Sequence, residues 1–176
     1  DKASITFQDL LIKIKAASPD LVLFVGDYVK NPDARRVGMH RNNIITAMKL
    51  IDPIPRAVVL GNHESWSNAE NWLREFKRHG VRAMENEVDL LKIGETFICV
   101  RGLGDINTGR YKYIHYPAQC DKLPKITITH DPAGAFHSLV MGLVISGHTH
   151  CGQVRFPFIT PFWIPSKAPT FAQCGL

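Results

Sequence analysis

Four short apolar runs set the pattern of this chain, and each closes on glycine or a polar turn: Leu21–Val25, Ala57–Leu60, Ile126–Thr129 and Leu143–Ser146. Runs of four or five aliphatic, mostly β-branched residues bounded in this way predict buried strands. Between them the apolar spacing turns helical. Ile5, Leu10, Leu11, Ile14 and Ala17 predict a helix over 4–17, stopped by Pro19, and Ile44, Ile45, Met48 and Ile51 predict a second over about 33–51, ended by Asp52-Pro53. Ser67 and Glu70 have the spacing of a capping box for a third helix, which buries Trp72, Leu73 and Phe76 and ends at Gly80.

From 81 to 100 the pattern is β, with strands predicted at 81–83, 88–93 and 96–100 and Gly94 in the turn. Residues 102–124 are rich in glycine and tyrosine and irregular, a loop long enough to suggest function. A strand at 125–129, a short helix near 133–140, a strand at 143–146 and a strand near 153–156 complete the order. Alternating β and α elements followed by a β-rich stretch predict an α/β domain with sheets packed between helices.

Composition narrows the class without naming a reaction. The chain has 176 residues, 45% of them hydrophobic and 21% charged, which suits one globular domain with a real core. A net charge of +5 reads first as a solvated surface and second as attraction to phosphate-bearing partners. The basic residues are scattered without interleaved aromatics, so no nucleic-acid binding is expected. Cys99, Cys120, Cys151 and Cys174 form no C-x-x-C pair, which predicts free thiols in a reducing compartment and a cytoplasmic location.

The chemistry lies where the apolar runs end. They lead into Gly26-Asp27, Gly61-Asn62-His63-Glu64, His130 and Gly147-His148-Thr149-His150. Ligands of sheet folds gather at strand ends, where loops are free to converge. A carboxylate, a carboxamide and several imidazoles delivered together suit Mn, Fe or Zn better than Ca or a thiolate-bound structural Zn.

These segments, in this order and with Thr129-His130-Asp131, resemble the calcineurin-like metallophosphoesterases, and the stretch Ser146–Gln153 is most similar to a bacterial, membrane-associated phosphodiesterase branch. The resemblance implies a four-layer αββα sandwich and a dinuclear centre of Mn, Fe or Zn that hydrolyses a phosphate ester, a diester being the expected substrate, with metal-activated hydroxide. It implies Asp27 as the bridge, Asn62, His130 and His148 as ligands of one ion, His150 as a ligand of the other, and His63 as the catalytic proton donor. Glu64 reads as structural, and Asp131 and Asp105 as candidates to hydrogen-bond a ligand imidazole.

Two departures from the family pattern stand out. No D-x-H motif precedes the helix at 4–17, so the first strand and two further ligands are expected upstream, and the chain, which opens on Asp1 and stops at Leu176, reads as a domain truncated at both ends. As it stands, one ion is expected to be held well and a second weakly. Cys151 occupies a place where glycine is common, either as a soft extra ligand or as a bystander. Residues 155–165 carry four aromatics and three prolines; they either touch lipid, at the inner face of the cell membrane, or pack on the domain's own surface. The alternative to an enzyme is a binding scaffold of the same fold, against which the retention of His63 argues.

Overall fold

The computed structural model describes residues 6–30, 34–137, 142–152 and 164–173. The chain runs α1 (Phe7–Ala17), β1 (Val22–Phe24), α2 (Ala34–Ala47), β2 (Arg56–Val58), α3 (Asn62–Trp66), α4 (Ala69–Arg78), β3 (Arg82–Ala83), β4 (Glu87–Ile93), β5 (Thr96–Gly102), β6 (Lys125–Ile128), α5 (Pro132–Phe136) and β7 (Leu143–Ile145). β1, β2 and β3 form a parallel sheet, with Leu23 opposite Ala57 and Val58 opposite Ala83. A second sheet has the order β4-β5-β6-β7, with β4 and β5 antiparallel and the rest parallel.

Side-chain alternation along the strands explains why the runs of β1 and β2 are apolar throughout. Leu23, Val25, Ala57 and Val59 join Met84, Leu91, Val100, Ile128 and Ile145 in a core between the two sheets. Their neighbours Phe24, Val58 and Leu60 turn the other way, against Ile45, Met48, Trp72 and Phe76 of the helical layer. A parallel strand covered on both faces has no polar side to show. Leu11 of α1 closes the same face through Val22 and Ile51. This is the sandwich of two sheets flanked by helices that the sequence predicts.

Two local expectations are corrected. The capping box at Ser67 and Glu70 does not form, because a short helix already occupies Asn62–Trp66 and Ser67 closes it. Asn68 caps α4 instead, accepting a bond from the Asn71 N–H (3.1 Å), and Glu70 is turned outward to Arg110. The cysteines are not free: Cys99 and Cys120, both fully buried, form a disulfide, and Cys151 is disulfide-bonded as well. Spacing in sequence hides the first pair. The loop after β5 brings the chain back beside the start of that strand, where the Cys99 N–H donates to Pro124 O (2.9 Å). The strand expected near 153–156 lies outside the described residues.

The return loop is held down firmly. Arg101 of β5, itself buried, donates to Ile114 O (3.1 Å) and Thr127 Oγ1 (3.2 Å) and stacks on Tyr116. Asn86 accepts from the Gly104 and Lys112 N–H groups and donates to Arg110 O. Such anchoring lets an irregular segment serve as a wall of the site.

Candidate metal centre

Parallel strands end at one edge, and that edge gathers the polar side chains. Asp27 follows β1, Asn62 follows β2, His130 follows β6 and His148 follows β7. The turns are tight and conformationally unusual. Gly26 has φ of +91°, where an added Cβ would lie 2.8 Å from His130 Nδ1, so glycine alone fits. Asp27 and His148 take φ of +57° and +63°. Left-handed backbone at non-glycine residues is sparsely populated and concentrates at functional sites.

One atom from each residue points to a common centre. Asn62 Oδ1 is 3.0 Å from His130 Nε2, His148 Nδ1 is 3.1 Å from it, and Asp27 Oδ2 is 3.3 Å from it. Ligand atoms of Asp27, His130 and His148 all lie within 4.8 Å of one another. Nitrogen and oxygen ligands each about 2.1 Å from one ion fall roughly 3–4 Å apart, so these donors have the spacing of neighbours in one coordination shell. His130 Nδ1 donates to Val25 O (2.6 Å), which fixes the ring proton on that side and leaves the Nε2 lone pair facing the centre. The carboxylate and carboxamide oxygens turned toward His130 Nε2 are held together by a cation or, without one, by a proton on that nitrogen. The residues present therefore fit one divalent ion.

Surrounding groups hold the ligands. Glu64, fully buried, accepts from the N–H groups of Asp27 (2.8 Å), Gly61 (2.9 Å) and Val29 (3.2 Å). It ties the Asp27 turn to the Asn62 turn, the structural part expected of it. Asp131 caps α5 through the Ala133 N–H (2.8 Å) and accepts from Ser166 Oγ (2.5 Å) and Asn107 Nδ2 (2.8 Å). Its Oδ2 lies 3.8 Å from His148 Nε2. Asp105 bonds no imidazole; it accepts from Thr108. Asn107 and Ser166 were not singled out from sequence, since no local motif marks a residue whose partners come from distant loops.

Charge at the centre is coupled. Burial by itself would raise the Asp27 pKa, but His130 and the His63 N–H (3.2 Å) hold it below the usual carboxylate range. Burial would lower His130, yet the Asp27 carboxylate carries it above the ordinary histidine value. His148 is lowered by burial and by His130 beside it, Asp131 opposing. Burial raises Glu64 against the three N–H groups it accepts.

His63 stands at the rim, outside the cluster. Its Nδ1 donates to Val29 O (2.7 Å) and its ring stacks on Trp66 with centroids 5.6 Å apart, which leaves Nε2 for a partner. His150 is exposed and is not among the grouped ligands. The disulfide at Cys151 removes the soft thiolate ligand from consideration.

A model of the calcineurin-like phosphoesterase family matches residues 4–152. The chain belongs to the calcineurin-like phosphoesterases. It is a metallophosphoesterase by family, and its sandwich is that family's fold. It is 27% identical over 177 residues to metallophosphoesterase YkuE of Bacillus subtilis, covering 96% of this chain and 61% of the relative. Identity is 27% over 146 residues to phosphodiesterase YaeI of Escherichia coli, covering 80% and 52%. It is 26% over 172 residues to a bovine transmembrane protein with a metallophosphoesterase domain, covering 86% and 38%. The phosphoesterase chain thus spans 61% or less of these relatives' length. Sulfate thiohydrolase SoxB of Thermus thermophilus, in complex with glycerol, shares the fold at a TM-score of 0.57 with 13% identity, over 82% of this chain and 34% of that one.

The narrower assignment to a membrane-associated bacterial branch is corrected. Bacterial and vertebrate relatives match at similar identity, and no helix among the described residues is long and apolar enough to cross a membrane. The assignment stops at the family. Of the apolar segment 155–165, residues 155–163 lie outside the described residues.

Proposed function

We propose that this chain hydrolyses phosphate esters, diesters foremost, with one divalent ion of Mn, Fe or Zn held by Asp27, Asn62, His130 and His148. The convergence of four donor atoms, three of them 3.0–3.3 Å from His130 Nε2, carries the reading. A cation held there would supply Lewis acidity toward a phosphoryl oxygen and lower the pKa of water. Glu64 keeps the Asp27 and Asn62 turns in register, and Asp131 flanks His148. His63, with Nδ1 committed to Val29 O, offers Nε2 to the phosphoryl or leaving oxygen and in its protonated form delivers a proton there. A second ion would rest on Asp27 and His150 and bind weakly, so metal analysis is expected to return about one tightly held ion per chain.

The buried Cys99–Cys120 bond supports work in an oxidising compartment in place of the cytoplasm suggested by cysteine spacing. Turnover of bis-p-nitrophenyl phosphate with added Mn tests the catalytic reading. Asp27→Asn and His148→Ala are each expected to lower the rate by about 100-fold or more. Wild-type rates in both variants would sink it.

A further inference from the structure

Trp66 is the last residue of α3, and it is 63% exposed although its indole is large and mostly apolar. One ring face is covered by the His63 imidazole, nearly parallel at 26° with centroids 5.6 Å apart. No ion pair, hydrogen bond or second ring contact accounts for the rest of the indole among the described residues. Trp72, in the next helix α4, behaves as an ordinary core residue: it is fully buried, and its Nε1–H donates to Ser67 Oγ (3.1 Å).

The position of Trp66 follows from His63. Val29 O holds the edge of the imidazole at Nδ1 and the indole holds its face. A leaving group whose oxygen meets Nε2 can extend beside the indole. A cavity of about 330 Å³ begins at the same Val29 and is lined by Tyr28, Val29, Lys30, His40 and Ile44. Among the described residues that line it none is a carboxylate, and Lys30 gives it a positive charge.

Resting on the phosphoesterase reading above, we propose that Trp66 is a specificity residue that stacks on a planar heteroaromatic ring of the substrate's leaving side. The substrate class is then nucleotide-like: a phosphate ester whose alcohol carries a base. The neighbouring basic cavity suits the anionic groups of such a molecule. Bases stack on aromatic side chains without sequence preference because every base has a π-face.

The test compares adenosine 5′-monophosphate with ribose 5-phosphate, which differ only by the adenine. Each is assayed as an inhibitor of bis-p-nitrophenyl phosphate hydrolysis by the Mn-loaded protein, and tryptophan fluorescence is read in parallel. The nucleotide is expected to inhibit about 10-fold or more tightly than the sugar phosphate, the size of one base–aromatic stack, and to quench fluorescence where the sugar phosphate does not. Trp66→Ala should abolish the difference between the two compounds, while Trp66→Phe should retain most of the preference and lose the quench. Equal inhibition by the two compounds in wild type overturns the proposal alone. A preference that survives in Trp66→Ala also overturns it. Absence of any hydrolysis with Mn overturns the phosphoesterase reading beneath it.

Discussion

Removing the Glu64 side chain is the most informative single change at this site. Glu64 touches no substrate, yet its carboxylate accepts three backbone N–H groups, from Asp27, Gly61 and Val29, in a fully buried position. Glu64→Ala leaves three donors without partners. Each buried unsatisfied group costs about 1–3 kcal/mol, so the simple sum is about 3–9 kcal/mol; water entering the space left behind favours the lower end, about 3–5 kcal/mol. Glu64→Gln keeps one oxygen, which can still accept from Asp27 and Gly61 together, and turns an amide N–H₂ toward the Val29 donor. One lost bond costs about 1–3 kcal/mol, and part is regained because burial already disfavours the Glu64 charge. Urea unfolding of metal-free protein should therefore rank wild type above Glu64→Gln above Glu64→Ala, with Mn affinity falling in the same order as the two turns lose register. If Glu64→Ala unfolded within about 1 kcal/mol of wild type while its Mn affinity held, the tie between the strand ends would not be what keeps the ligands together.

Cys120→Ser opens a loop whose ends are 21 residues apart in sequence and is expected to lower stability by about 3 kcal/mol; wild type should lose at least that amount in reductant, which also opens the bond at Cys151, and equal unfolding midpoints with and without reductant would contradict this. Mn affinity should rise with pH. His130 titrates above its ordinary value of 6.5 because Asp27 stabilises its charged form, while Asp27, shifted downward, is already ionised. The ion pair's contribution to metal-free stability is thus full below 6.5 and is lost as pH climbs through the raised value, and over the same window the neutral ligand form appears. Calorimetry should register about one proton released per ion on the acid side of that window and none above it. His130→Ala should abolish tight Mn binding, whereas His150→Ala, exposed and outside the cluster, should leave the affinity of the first ion within about 3-fold; comparable losses in both would bring His150 into the shell.

The sandwich was legible because a parallel strand covered on both faces favours an apolar run, as β1 and β2 show, while β6 alternates isoleucine with threonine and β7 leaves Leu143 exposed. Gly26, Asp27, Asn62, His130 and His148 were legible for a related reason: a strand packed on both faces presents polar groups most readily where it ends. What followed a regular period could be read, down to the αL stop at Gly80, whose φ is +68°.

Features without a period could not be read. Ser67 and Glu70 have the right spacing for a cap, but the chain had already turned helical at Asn62, and Asn68 took the role. Cys99 and Cys120 meet because the intervening loop is pinned by Arg101 and Asn86, contacts that no local spacing records. The same holds for Asn107 and Ser166 on Asp131, and for the separation of His150 from a neighbour only two residues away. The amino-acid order by itself determined the layers, the strand ends and the kinds of atom available to a metal, since these depend on local periodicity and residue chemistry. Tertiary structure alone decided which of those atoms share one centre and which cysteines are joined, because these depend on distances between segments far apart along the chain.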